Sequence, residues 1–140
     1  MIKERYVEYE TAKLACESGF DIQTEKCYGE LKEYTYEDVR NHGKDKVVES
    51  KPPHLITRQL ITEHSHRTFI CYAPTQALLH RWLREKHELF VSIYPLKTGW
   101  AFDVRPTTPI SSSKTQTIEG HDTYEDALEV GLNKGLKLIK

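Results

Sequence analysis

The chain has 140 residues, with 20 lysines and arginines against 21 aspartates and glutamates and a formal net charge of -1. That length suits one domain with a real core, and the balance of charge excludes a global polycation able to hold nucleic acid or an anionic membrane without a local patch. No apolar run approaches the ~20 residues that span a bilayer, the opening MIKERYVEYE has no apolar signal core, and Cys16, Cys27 and Cys71 are odd in number and widely spaced. A cytoplasmic protein with no membrane partner and three reduced thiols is the expectation.

Tyr9 to Phe20 (YETAKLACESGF) reads as a short helix of good formers. Ala12, Ala15 and Cys16 share a stripe. Gly19 sits where a left-handed cap is wanted, with Phe20 placed to fold back on the last turn. From Asp21 to Tyr36 the pattern is mixed, with a strand around Cys27, Tyr28 and Leu31. Thr35 and Asp38 then have capping-box spacing, opening a short helix that Gly43 stops. The letters TYED recur at Thr123 to Asp126, but their surroundings do not repeat.

Residues 41–53 (NHGKDKVVESKPP) form a polar connection of low stability closed by two prolines. No domain boundary is placed there, because what precedes it is too small to fold alone; residues 1–140 are read as a single domain. Leu55 to Ile61 is short and apolar, ambiguous between strand and helix. Arg67 to Tyr72 (RTFICY) reads as a strand. The strongest helix follows, PTQALLHRWLREKHE, over residues 74–88. Pro74 is expected at its first helical position, and Leu78, Leu79, Trp82 and Leu83 follow the i, i+3, i+4 rule.

Phe90 to Val104 alternates apolar and polar residues on either side of Lys97-Thr98-Gly99, the pattern of a hairpin with arms 90–95 and 100–105 and Gly99 supplying positive φ. An isolated hairpin is marginal in water, so flanking helices must cover its apolar face. A loop through Ser111, Ser112 and Ser113 leads to a third strand over Thr115 to Glu119. Thr123 then caps the last helix, with Asp126 at the capping-box position and Tyr124, Ala127, Leu128, Leu132 and Ile139 on its inner stripe. Gly131 and Gly135 lie one turn apart in that helix. Each costs about 1 kcal/mol relative to alanine there, so close approach of the backbone to the sheet is the expected compensation. The C-terminal half therefore reads α-β-β-(β)-α, and the fold class is α+β, an antiparallel sheet packed against helices.

Three constellations are candidates for chemistry. His64 and His66 share a face if extended, and with Cys71 they form a candidate metal site, near His42, His54 and Cys27. No pair has the CxxC or HxxxH form that zinc usually takes. On the helix over 74–88, His80, Arg81, Arg84 and Lys86, with His87 beside them, form a basic group that is a candidate nucleic-acid contact, diluted by Glu85 and Glu88. The α-β-β-β-α order is shared with double-stranded-RNA-binding domains, but those modules put basic residues at the start of the last helix, where this chain has Asp122, Glu125 and Asp126. For catalysis there is no GxSxG, no phosphate-cradling glycine loop and no paired carboxylates in an identifiable cleft, so no catalytic residue and no cofactor is assigned.

Taken together, YETAKLACESGFD, APTQALLHRWLREKHEL, GWAFDV and TYEDALEVGLNKGLKLI resemble a group of small proteins carried by gut Bacteroides and their bacteriophages. The resemblance implies a mobile-element setting and no mechanism. More weakly, Val91 to Leu136 is similar to HicB-type antitoxins, in which a strand meander runs into a helix at the place filled here by GHDTYEDALE. The expectation for function is a non-catalytic accessory or interaction module, binding another macromolecule or a second copy of itself. Nucleic-acid binding and metal binding are the alternatives.

Overall fold

The computed structural model describes residues 4–33, 49–50, 53–57, 67–107, 115–116 and 120–139. In chain order the elements are α1 (Tyr9–Glu17), β1 (Lys26–Glu33), β2 (Glu49–Ser50), β3 (His54–Thr57), β4 (Arg67–Tyr72), α2 (Gln76–His87), β5 (Leu89–Leu96), β6 (Gly99–Pro106), β7 (Thr115–Gln116) and α3 (Tyr124–Ile139). The fold is α+β, with antiparallel sheets. The chain divides into two compact units, one made of Met1–Asp21 with Pro74–Lys140 and one of Ile22–Ala73. The second is thus an insertion between two segments of the first.

In the inserted unit β1 is the central strand, antiparallel to β2, β3 and β4. Of Leu55 to Ile61, ambiguous by pattern, Leu55 to Thr57 is strand, and residues 58–61 lie outside the described residues. Cys27 lies opposite Tyr72 and Tyr28 opposite Cys71, so the two cysteine side chains leave opposite faces of the sheet. Both are buried, and all three cysteines of the chain are thiols.

The other unit is built on the hairpin. Leu96 pairs with Gly99 across Lys97 and Thr98, and Gly99 carries a φ of 142°, a region that side chains disfavour. β6 is the middle strand. β5 lies along one side of it, and the other side is closed by β7 at Asp103 and Val104 and by His121, which exchanges two backbone hydrogen bonds of 2.8 and 2.7 Å with Trp100.

α3 lays a continuous apolar stripe on this sheet: Ala127, Leu128, Gly131, Leu132, Gly135 and Leu136 are all buried. Val91, Phe102 and Val104 receive it, with Leu79 and Leu83 of α2 beside them in the fully buried core. Trp82 and Leu128, both expected inside, are 5% and 6% exposed. α1 ends in a Schellman motif, the Phe20 N–H reaching the Ala15 carbonyl and the Gly19 N–H that of Cys16. Phe20 accordingly folds back, its ring edge-on to Trp82 at 5.4 Å.

Three local expectations are corrected. Pro74 does not open α2; Thr75 is the N-cap, its Oγ1 accepting the Leu78 N–H at 3.2 Å, and Pro74 precedes the cap. A hydroxyl satisfies an orphan helix donor and so outcompetes a proline as the boundary signal. Cys16 is exposed, because α1 turns Thr11, Ala12 and Ala15 inward instead. Tyr124 is 42% exposed, its ring in a T-shaped pair with Trp100 at 5.6 Å. The expected third strand is present at Thr115–Gln116; residues 117–119 lie outside the described residues, as do the Thr35/Asp38 helix start, most of 41–53 and Ser111 to Ser113.

Candidate functional site

Of the metal triad, His64 and His66 lie outside the described residues, and Cys71 is 1% exposed on β4. Among the described residues no group of three histidine, cysteine, aspartate or glutamate side chains is arranged to hold a metal ion.

The four basic residues of α2 do not share one face. Arg81 and Lys86 are exposed, but Arg81 Nε donates to Glu85 Oε1 at 2.9 Å, which offsets its charge locally. Arg84 is half-buried. His80 leaves the group altogether: its Nε2 accepts the Val91 N–H of β5 at 3.2 Å and its ring lies 5.1 Å from that of Phe90. Burial, and secondly the charge of Arg84, push the His80 imidazole down to about 4, so it is neutral at pH 7. A neutral, inward-facing ring cannot meet a phosphate.

Among the described residues, a gathering of polar groups lies elsewhere, where the N-terminal arm meets α2 and α3. Arg5 Nη1 donates to Asp126 Oδ1 at 3.0 Å and a second guanidinium nitrogen lies 3.7 Å from Glu8. Glu129 is 6% exposed, yet both its oxygens are engaged: Oε1 accepts Gln76 Nε2 at 3.2 Å, and Oε2 accepts the Glu8 N–H at 3.1 Å. That second bond matters because Glu8 caps α1 without a side-chain bond of its own, so α3 lends the carboxylate that the N-terminus of α1 lacks. Gln76 completes the arrangement, donating its Nε2 to the Glu125 carbonyl at 2.9 Å and its backbone N–H to the Arg5 carbonyl at 2.8 Å.

A depression of about 380 Å³ opens here, lined by Arg5, Glu8, His121, Asp122, Asp126 and Glu129. Its chemistry is that of a fastening. Arg5 holds the Asp126 carboxyl below the ordinary aspartate range, and Thr123 adds to this. The sequence analysis did not find this site; the signal that could have found it is the glutamate at 129 beside Leu128 in the inner stripe.

With these arrangements described, the chain can be set beside known proteins. No protein family, curated protein or solved structure matches it.

What remains is a surface. On β5, Phe90, Tyr94 and Leu96 share the face turned away from Val91 and α3, and Phe90 and Leu96 are each 38% exposed. Arg105, exposed, stands opposite Phe90. Next to it Asp103 is 7% exposed, with Oδ2 on Arg105 Nη2 at 2.6 Å. Among the described residues no helix is long and apolar enough to cross a membrane.

Proposed function

We propose that the chain is a non-catalytic accessory module of a mobile genetic element, and that it binds a protein partner on the outer face of β5. One observation carries the reading: Phe90, Tyr94 and Leu96 line up on one face of a strand at the margin of its sheet, with two of the three exposed and Arg105 beside them. Aromatic and apolar residues of this kind are the composition of an interface centre, suited to an apolar partner surface, with Arg105 held by Asp103 beside them. The mobile-element setting comes from the resemblance alone. Catalysis ranks lower because Arg5 and Asp126 of the depression described above are engaged with each other, and Glu129 with Gln76 and the Glu8 N–H. Nucleic-acid binding by Arg81, Arg84 and Lys86 ranks lower, since Glu85 holds Arg81 and His80 carries no charge.

Partner recovery with wild-type chain and with Phe90→Glu/Leu96→Glu, both checked for native circular dichroism, tests the reading. A stoichiometric protein complex, rebuilt from purified components and lost in the double variant, is the expected result. Turnover of any substrate that depends on a single histidine or cysteine overturns it. So does duplex-DNA binding that weakens steeply with salt and disappears when Arg81 and Arg84 are neutralised.

A further inference from the structure

α2 packs along β5, and the half-buried His80 imidazole ties the two together: its Nε2 accepts the Val91 N–H at 3.2 Å and its ring lies 5.1 Å from that of Phe90. A nitrogen that accepts is a nitrogen without a proton, so the bond exists only in the neutral tautomer that carries its hydrogen on Nδ1. Protonation sets N–H against N–H and leaves both the amide and a part-buried cation without an acceptor.

The charges around the ring do nothing to hold the cation in place. Arg84, one turn further along α2, repels it. Glu85 is taken up by Arg81, and on α3 Glu129 is taken up by Gln76, one turn before His80. β5 offers no charged residue, only the Tyr94 hydroxyl, and on β6 Arg105, opposite Phe90, is held by Asp103. Val91 meanwhile keeps its side chain against Gly131 of α3 and its place opposite Val104 on β6, so the strand stays seated without the imidazole.

We infer that His80 is a proton-operated latch: neutral, it clamps the start of β5 to α2, and on protonation it releases Val91 and Phe90 while the rest of the unit stays folded. Burial first and Arg84 second put the release in acid, with the imidazole depressed to about 4. Phe90 also begins the partner face proposed above, so on that reading the latch sets the acidity at which the face changes. The latch itself is tested with no partner present.

The test is an NMR titration of the full chain from about pH 7 to about pH 3.5, a range that brackets the release. At the start His80 Nε2 is expected to give the signal of an unprotonated nitrogen. As it gains its proton, the Val91 amide and the Phe90 ring are expected to shift with the same midpoint, while Leu132, in the middle of α3, keeps its folded signal. In His80→Gln, whose amide oxygen still accepts but does not titrate, the Val91 shift is expected to be lost. A protonated Nε2 at the start, a Val91 amide that stays still while His80 titrates, or an equal Val91 shift in His80→Gln overturns the latch. So does loss of the folded Val91 and Leu132 signals in one step. Should His80→Gln fail to fold, the wild-type titration decides on the remaining outcomes.

Discussion

Gly131 and Val91 stand so close that a Cβ built on the glycine would lie 2.6 Å from Val91 Cγ1 and 3.3 Å from Phe102 Cγ. One turn later, Gly135 has ordinary room, with its nearest neighbour Leu83 Cδ1 at 3.5 Å. The two glycines look equivalent in the sequence, but they have opposite energetic consequences. Gly131→Ala must displace a packed core and is expected to cost about 1–3 kcal/mol. Gly135→Ala fits, and its better helix propensity is expected to leave stability unchanged or raise it by roughly 0.5–1 kcal/mol. Urea unfolding of the two variants separates the cases.

The hairpin turn depends on a second glycine for two reasons at once. A Cβ on Gly99 would fall 2.4 Å from the His121 carbonyl oxygen, and the residue's φ is 142°. Gly99→Ala is therefore expected to lose the Trp100–His121 bridge as well as the turn, costing on the order of 3 kcal/mol from strain and lost pairing together. Thermal unfolding followed at a tryptophan signal reads both.

Glu129 is the buried acceptor on which the N-terminal arm depends. Glu129→Leu leaves the Glu8 N–H and Gln76 Nε2 without that acceptor, and each stranded donor costs about 1–3 kcal/mol. Glu129→Gln keeps one carbonyl oxygen and is expected to lose about half as much. Because α1 would detach first, proteolysis ahead of Tyr9 should accelerate in the leucine variant before global stability is gone.

His80 makes stability fall on mild acidification. Its folded pKa is depressed, to about 4, below the ordinary histidine value of 6.5, so between those pH values the unfolded chain binds a proton that the folded chain does not. Stability is expected to be intact above about pH 6.5 and to decline as pH drops toward 4. His80→Gln should remove this slope and leave the carboxylate-driven loss at lower pH. A shared slope in both proteins would remove His80 as its source.

What the sequence disclosed and what it withheld divide along the range of the interactions. The hairpin, the Schellman end of α1 at Gly19 and Phe20, and the Thr123 cap, whose Oγ1 takes the Asp126 N–H at 3.0 Å, are written in residues a few positions apart. Periodicity also placed Trp82 and Leu128 inside. The Arg5 and Glu129 fastening joins residues that no local pattern connects, and it was missed; its one local sign is a charged residue in an apolar stripe. His80 misled because its neighbours Arg81 and Arg84 are basic. Its position four residues after the buried Gln76 and three before the buried Leu83 places it on the flank of the inner face. The insertion of Ile22–Ala73 into the other unit had no signal either, since the polar run at 41–53 falls within that unit and not at its ends.

That insertion, together with the fastening of the arm, dictates an order of events during synthesis. Arg5, Glu8 and Thr11 find Asp126, Glu129 and Asn133 at separations of 121, 121 and 122 residues. A ribosome must therefore deliver residues up to Asn133 before these contacts can form, and the arm waits for them while the inserted segment emerges. Transplanting the arm to follow α3, by circular permutation, would let the outer unit assemble from neighbouring stretches and should shorten that interval.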